Sequence, residues 1–257
     1  MSQRSIAALI LAALLVSTGC AFYSAIDQGD KSKREQATPV PLTAEPSHHL
    51  ALENEYVRVF KVEVAPHATT LMHQHDRDYF WVAIGAADVT NAPAGRPEQR
   101  LHLADGEAHF SPGRFAHRAI NNASTPFRNV TVEVLKPQRE SAAAQGAKDK
   151  PAAAKKEDAR GLEVGRGAMT EVLMVSDGVK ASEVTINPGA MLPHHTHKLP
   201  HLVIAVSALH LKNEPHGGPV TEVHMRPGDI RWVPAGVSHM VTNIGNAPAR
   251  FVTLEFP

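Results

Sequence analysis

The chain has 257 residues, enough for two modest domains or one large one, and its 26 basic side chains balance 26 acidic ones. A formal net charge of zero leaves no global field to gather nucleic acid or acidic lipid. Histidine is the compositional outlier with 16 copies, and Cys20, the single cysteine, excludes an intramolecular disulfide.

The opening stretch MSQRSIAALILAALLVSTGC has an export pattern. Arg4 supplies a positive start, residues 6–16 form an apolar run too short to stay in a bilayer as a helix, and small residues follow. Residues 1–20 are therefore read as a signal peptide outside the fold. Cys20, directly after Thr18-Gly19, resembles a bacterial lipobox, although Ser17 stands where that pattern prefers leucine. The expectation is an exported protein, either periplasmic or tied to the cell envelope by a lipid at Cys20, with ordinary secretory cleavage nearby as the alternative.

Residues 21–47 are polar and carry the charge run 30–35 followed by Pro39, Pro41 and Pro46, which predicts a tether with no core of its own. A first domain follows at 48–137, where YVRVFKVEV and RNVTVEVL alternate apolar and polar residues with the period of a strand. Residues 138–160 read as a second linker, since Gly146 and Pro151 interrupt its Ala/Lys bias. In a second domain at 161–257, VKASEVTI and ARFVTLEF alternate again. Turns recur at Asn187-Pro188-Gly189, Arg226-Pro227-Gly228-Asp229 and Pro234-Ala235-Gly236. Short strands broken by such turns predict an all-β sandwich or jelly-roll barrel, and no stretch has convincing helical periodicity.

The two domains repeat one another. A shift of 122 positions carries Pro66, His73, His75, His102 and Gly106 onto Pro188, His195, His197, His224 and Gly228 without a gap. The same register carries Pro112, His117, Asn121, Pro126 and Glu133 onto Pro234, His239, Asn243, Pro248 and Glu255. One fold is used twice.

Residues two apart in a strand share a face, so His73 and His75 point together, as do His195 and His197. Two imidazoles presented to one point suit a divalent transition metal. His117 lies 42 positions after His75, and His239 lies 42 after His197, each just past a proline-containing turn.

These residues resemble the cupin pattern, G(x)5HxH(x)3–4E(x)6G followed by G(x)5PxG(x)2H(x)3N. The second copy supplies Gly189, His195-Thr196-His197, position 201, Gly228, Pro234, Gly236, His239 and Asn243. The first supplies His73-Gln74-His75, position 79, Gly85, Gly106, Pro112, His117 and Asn121. The chain looks like a bicupin, and the resemblance implies two tandem double-stranded β-helix (jelly-roll) cupin barrels. Both copies depart where the family places its glutamate: His201 stands there in one and Tyr79 in the other. Carried over, the pattern implies a four-histidine metal site of His195, His197, His201 and His239. In the first copy it implies a three-histidine site of His73, His75 and His117. Tyr79 is there a weak ligand, a hydrogen-bond donor to one, or the acid–base candidate, the last needing a lowered pKa. The alternative for the first copy is a barrel whose polar residues serve packing or a dimer contact. Arg114 occupies the place of the PxG glycine and puts the loop before His117 in question.

Without the carboxylate, neutral imidazoles leave a divalent ion its full +2 charge, which favours an anionic ligand at an open position. The expected cofactor is a divalent transition metal (Fe, Zn, Ni, Cu or Mn). His194 is read as a bystander, His102 and His224 as outer-strand residues, and Arg114 as a surface ion-pair partner before a substrate-carboxylate binder. Tyr79, Phe80, Trp81 and Trp232 are expected to line a barrel or its mouth. Three functions stay open: a dioxygenase-like enzyme, a non-redox isomerase or lyase, and a non-catalytic periplasmic binder of metal or ligand. The expected partner is a small molecule, with no nucleic acid, with a membrane reached only through Cys20, and with homodimerisation left open.

Overall fold

The computed structural model describes residues 38–135, 167–176 and 178–257. The apolar run 6–16, Cys20 and the expected linker 138–160 lie outside the described residues. In the first copy the strands are β1 (Val40–Pro41), β2 (His48–Glu53), β3 (Val57–Val64), β4 (His73–His75) and β5 (Tyr79–Ala83). They continue with β6 (Ala87–Pro93), β7 (Gln99–Leu103), β8 (Ala108–Ser111), β9 (Phe115–Asn121) and β10 (Phe127–Val134). The second copy has β11 (Ala168–Val175), β12 (Lys180–Ile186), β13 (Met191–Thr196), β14 (His201–Ala205) and β15 (Leu209–Pro215). It ends with β16 (Thr221–Met225), β17 (Ile230–Val233), β18 (Ser238–Asn243) and β19 (Ala249–Glu255).

Each copy folds into two facing sheets. The first has the orders β1-β4-β9-β6-β7 and β2-β3-β10-β5-β8, and the second β13-β18-β15-β16 and β11-β12-β19-β14-β17. The 122-residue register survives in the ladders: His73 faces His117, and His195 faces His239. The last residues of the stretch expected to be a tether belong to the first barrel. Val40 and Pro41 pair in parallel with β4, and Leu42 and Glu45 are buried. Three prolines and a charge run hid one buried leucine and one short edge strand.

The alternation in β10 and β19 is real, but its sides have an unusual meaning. Asn129 and Thr131 turn toward the interior of the first barrel, whereas Val130, Val132 and Val134 turn outward. Thr253 likewise faces the second interior, and Val252, Leu254 and Phe256 face out. The outward residues of both copies join one apolar cluster that also contains Val57, Val59, Phe80, Leu202 and Ile204. Sheets β2-β3-β10-β5-β8 and β11-β12-β19-β14-β17 thus cover each other's outer faces, which removes apolar area from water and welds the barrels into one unit. Ion pairs close the rim: Arg250 Nη1 to Asp105 Oδ2 at 3.0 Å and Lys61 Nζ to Asp229 Oδ1 at 2.8 Å.

Candidate metal centres

In the first barrel, strand alternation turns His73 and His75 to the interior, where each is about 1% exposed, while Gln74 is only partly buried. Cross-strand pairing brings His117 directly opposite His73. The outer nitrogens are committed: His73 Nδ1–H donates to the Leu71 carbonyl at 2.9 Å, and His117 Nδ1–H donates to Asn91 Oδ1 at 2.6 Å. Their Nε2 atoms are thereby left to the interior, with His117 Nε2 3.1 Å from His75 Nε2.

A fourth imidazole joins this group, and the sequence reading missed it. His48, on β2, has its ring 4.8 Å from that of His73, and His48, His73 and His75 each offer a nitrogen within 4.8 Å of the others. His48 Nδ1–H donates to Glu45 Oε2 at 2.6 Å. Glu45, 2% exposed, also accepts backbone N–H groups from Ser47 at 2.8 Å and Leu71 at 3.2 Å. Burial alone would raise the Glu45 pKa, but the hydrogen bond and charge of His48 with these backbone donors bring it below the usual carboxylate value. The expected three-histidine pocket is thus a pocket of four.

The second barrel repeats the plan. His195 Nδ1–H donates to the Pro193 carbonyl at 2.7 Å, and His239 Nδ1–H donates to Asn213 Oδ1 at 2.6 Å. His197 Nε2 then lies 3.1 Å from His195 Nε2 and 3.0 Å from His239 Nε2. Behind His197, Glu255 Oε1 lies 4.0 Å from Nδ1, and Lys180 Nζ holds the other carboxylate oxygen at 3.2 Å. His195, His197 and His239 form the close group, and His201 does not enter it. Its ring lies over that of His197 with centroids 4.0 Å apart, as Tyr79 lies over His75 at 4.0 Å in the first barrel. The carried-over glutamate position therefore holds a ring packed on a neighbour in both copies. A flat ring on that strand lies against the face of the second histidine.

Tyr79 is unsuited to acid–base work at neutral pH. Burial pushes its phenol up to about 12, against the opposing pull of a hydrogen bond with Ser111. Phe80, expected to line a barrel or its mouth, packs between the barrels instead, whereas Tyr79, Trp81 and Trp232 do line cavities. His194 stays exposed on the outer strand face, with Ser238 Oγ at 3.5 Å. Arg114 keeps its loop by adopting a φ of 68°, close to the 83° of Gly236, and its N–H donates to the His75 carbonyl. The turn before His117 is thus intact despite the lost glycine.

The proton count within each cluster fits a cation. With both Nδ1 hydrogens spent on carbonyl oxygens, His195 and His239 turn Nε2 lone pairs toward His197 Nε2, which can give a hydrogen to only one of them. In the first barrel His73 Nε2 is buried without any hydrogen-bond partner. Extra protons are disfavoured there, since burial lowers His73 to about 4, His75 to about 2 and His117 to about 3, and lowers His239 in the second barrel to about 4. Imidazoles bound to one ion at about 2.0–2.1 Å stand about 2.9–3.4 Å apart, depending on coordination geometry. The observed spacings of 3.0 and 3.1 Å fall in that range. The residues present therefore fit a divalent transition ion in each barrel.

Both clusters open on cavities, about 280 Å³ in the first barrel and about 180 Å³ in the second. The second is walled mainly by Leu192, Leu209, Leu211, Val223, Met225 and Phe251, with Arg231 and His201 among its polar residues. Arg231 carries no motif and was not singled out in the sequence. Among the described residues lining that cavity there is no carboxylate.

No protein-family model and no curated protein matches the chain. Solved structures do. AerE from Microcystis aeruginosa aligns at 12% identity over 83% of this chain and 98% of its own, with a TM-score of 0.54. Oxalate decarboxylase from Bacillus subtilis, in a structure concerned with its Mn(II) centres, aligns at 15% identity over 81% of this chain and 75% of its own, with a TM-score of 0.54. A further oxalate decarboxylase structure, concerned with substrate binding and a switch in reaction specificity, aligns at 15% identity over 81% of this chain and 75% of its own, with a TM-score of 0.55. At such identities the likeness is one of fold, and the fold is the tandem cupin fold.

Proposed function

We propose that this tandem cupin is an exported metal-dependent enzyme that carries out a dioxygenase-like reaction on a small anionic organic substrate, with the chemistry in the second barrel. The observation that carries the reading is the His195–His197–His239 triangle, which opens on an apolar cavity with Arg231 in its wall and no carboxylate among the described residues that line it. Export rests on the pattern of residues 1–20.

A divalent transition ion held by those three imidazoles would supply Lewis acidity and, where redox-active, electron transfer. The rest falls to the chain. The apolar wall excludes water and so strengthens every charge interaction inside. Arg231 offers a planar cation to a substrate carboxylate. Asn213 and the Pro193 carbonyl hold two rings in the tautomer that keeps their lone pairs inward. With fewer imidazoles crowding it, the second centre suits an open catalytic site. His48, anchored by buried Glu45, offers the first centre a fourth ligand and suits it to a structural role. The Mn(II) centres of the oxalate decarboxylase keep manganese beside iron, zinc, nickel and copper as a candidate.

A second reading draws on His201, which lines the same cavity beside the triangle without joining it. It could act as general base in a non-redox isomerase or lyase. The discriminating experiment measures O₂ uptake by Fe(II)-loaded protein across small carboxylates, carbonyls, catechols and thiols. Uptake abolished by His239→Ala supports the dioxygenase reading. Turnover on Zn or Ni without O₂ uptake, lost in His201→Gln, supports the second. Ion binding without turnover on any substrate leaves a periplasmic binding protein.

A further inference from the structure

A third histidine cluster lies outside both barrels' interiors. On β15 and β16, His210 and His224 are direct cross-strand partners, and Glu222 faces Lys212 two positions along the same ladder. The two rings stack with centroids 4.1 Å apart. Glu222 Oε2 lies 2.8 Å from His210 Nε2 and 3.3 Å from His224 Nε2, and one ligand atom from each of the three residues lies within 4.8 Å of the others. Alternation separates this group from the buried centre: Leu209, Leu211, Val223 and Met225 on the same strands line the cavity, so His210, Glu222 and His224 point away from it.

We propose that His210, Glu222 and His224 form a peripheral binding site for a divalent transition ion of the Zn²⁺, Cu²⁺ or Ni²⁺ type. The donor set, two imidazoles and one carboxylate, is one such ions take, and ligand bonds of about 2.0–2.2 Å bring neighbouring donor atoms about 2.9–3.4 Å apart. The carboxylate oxygen already stands 2.8 and 3.3 Å from the two nitrogens, and rotation of one of the stacked rings turns both Nε2 lone pairs toward a shared ion. An imidazole that binds through Nε2 carries its ring hydrogen on Nδ1.

The other copy shows what the position is built to hold. Under the 122-residue shift, Asp88, Arg100 and His102 stand where His210, Glu222 and His224 stand. There Arg100 donates from Nε to Asp88 Oδ1 at 2.9 Å and from Nη2 to Asp88 Oδ2 at 2.6 Å. The first barrel thus carries a covalently attached cation on this outer face. The second replaces it with three donors arranged for an exchangeable one. Access is open: Glu222 and His224 line a surface groove of about 630 Å³ that also reaches Lys61, Asp229 and Arg231. The coordination positions left over would face water or a group on another molecule.

The test uses the full mature chain, stripped of metal and dialysed against Zn²⁺ near pH 7.5, with bound ion counted per chain. The variants are His224→Ala, Glu222→Gln and the pair His210→Ala/His224→Ala, all at exposed or half-exposed positions. The expected result is one ion fewer in the double variant than in wild type, with unchanged far-UV circular dichroism. Cu²⁺-loaded His75→Ala/His197→Ala protein, with both interior centres broken, should retain an electron paramagnetic resonance signal that vanishes when His210→Ala/His224→Ala is added. Equal Zn²⁺ content in wild type and the double variant, or a Cu²⁺ spectrum unmoved by it, overturns the proposal. Neither result depends on enzymatic activity.

Discussion

His48 and Thr170 hold the same place in the two barrels. His48 pairs with Val62 in its ladder and Thr170 with Val184, positions that the 122-residue shift superposes. A ring that completes a four-imidazole pocket in one copy is a short hydroxyl side chain in the other, where Thr170 Oγ1 is buried without a hydrogen-bond partner. Two centres built on one plan thereby acquire different degrees of closure.

That exchange makes a paired prediction. His48→Ala should weaken ion binding in the first barrel by about 10–100-fold, the scale on which even outer supporting contacts act, and leave the second barrel unchanged. Thr170→His should close the second centre and remove turnover while its ion content stays the same. Competition against a chromophoric chelator reads the first, and activity together with elemental analysis reads the second.

Burial of His73, His75, His117 and His239 sets the acid sensitivity of the ion-free protein. Desolvation lowers them to about 4, 2, 3 and 4 in that order, whereas an unfolded histidine titrates near 6.5. Between those values the unfolded chain binds protons that the native fold refuses. The stability from keeping these rings neutral is therefore complete above about pH 6.5 and is lost as the pH falls, down to about 4 for His73 and His239 and further for His117 and His75. Each such histidine contributes a slope of at most about 1.4 kcal/mol per pH unit. Urea melts of ion-free protein should show a midpoint falling steadily over that range, and a flat midpoint would contradict neutral burial.

The turn before His117 offers opposite predictions at adjacent residues. A Cβ on Gly113 would stand 2.3 Å from the backbone of Arg77, so Gly113→Ala should destabilise by about 1–3 kcal/mol, although Ala235 occupies the equivalent place in the other copy. Arg114 sits at a φ of 68°, where a side chain costs about 1–2 kcal/mol. Arg114→Gly should therefore raise stability by up to about 1 kcal/mol, part of the relief being offset by glycine's greater freedom when unfolded. Thermal melts of the two variants should move in opposite directions.

What the sequence made legible was whatever repeats. The HxH pairs, their distance to His117 and His239, and the 122-residue register all follow from one fold being written twice, and the barrels assemble along that register. Strand period alone names two faces without saying what each meets. Val130, Val132 and Val134 pack against another barrel and Thr131 faces a cavity, which no local pattern reveals. His48 escaped because it sits on a strand outside any motif and its counterpart is Thr170. His201 shows the converse: a motif position fixes where a Cα stands, not whether a ring meets a neighbour's face or its edge. Arg231 reaches the second cavity only through cross-strand pairing of β17 with β14.

The central claim is that each barrel gathers its imidazoles around one cation. The most direct measurement is elemental analysis of the protein, purified without chelator, beside His75→Ala and His197→Ala. Each variant should hold one transition ion per chain fewer than wild type and keep the ion of the untouched barrel. Equal metal content in all three proteins would contradict the account.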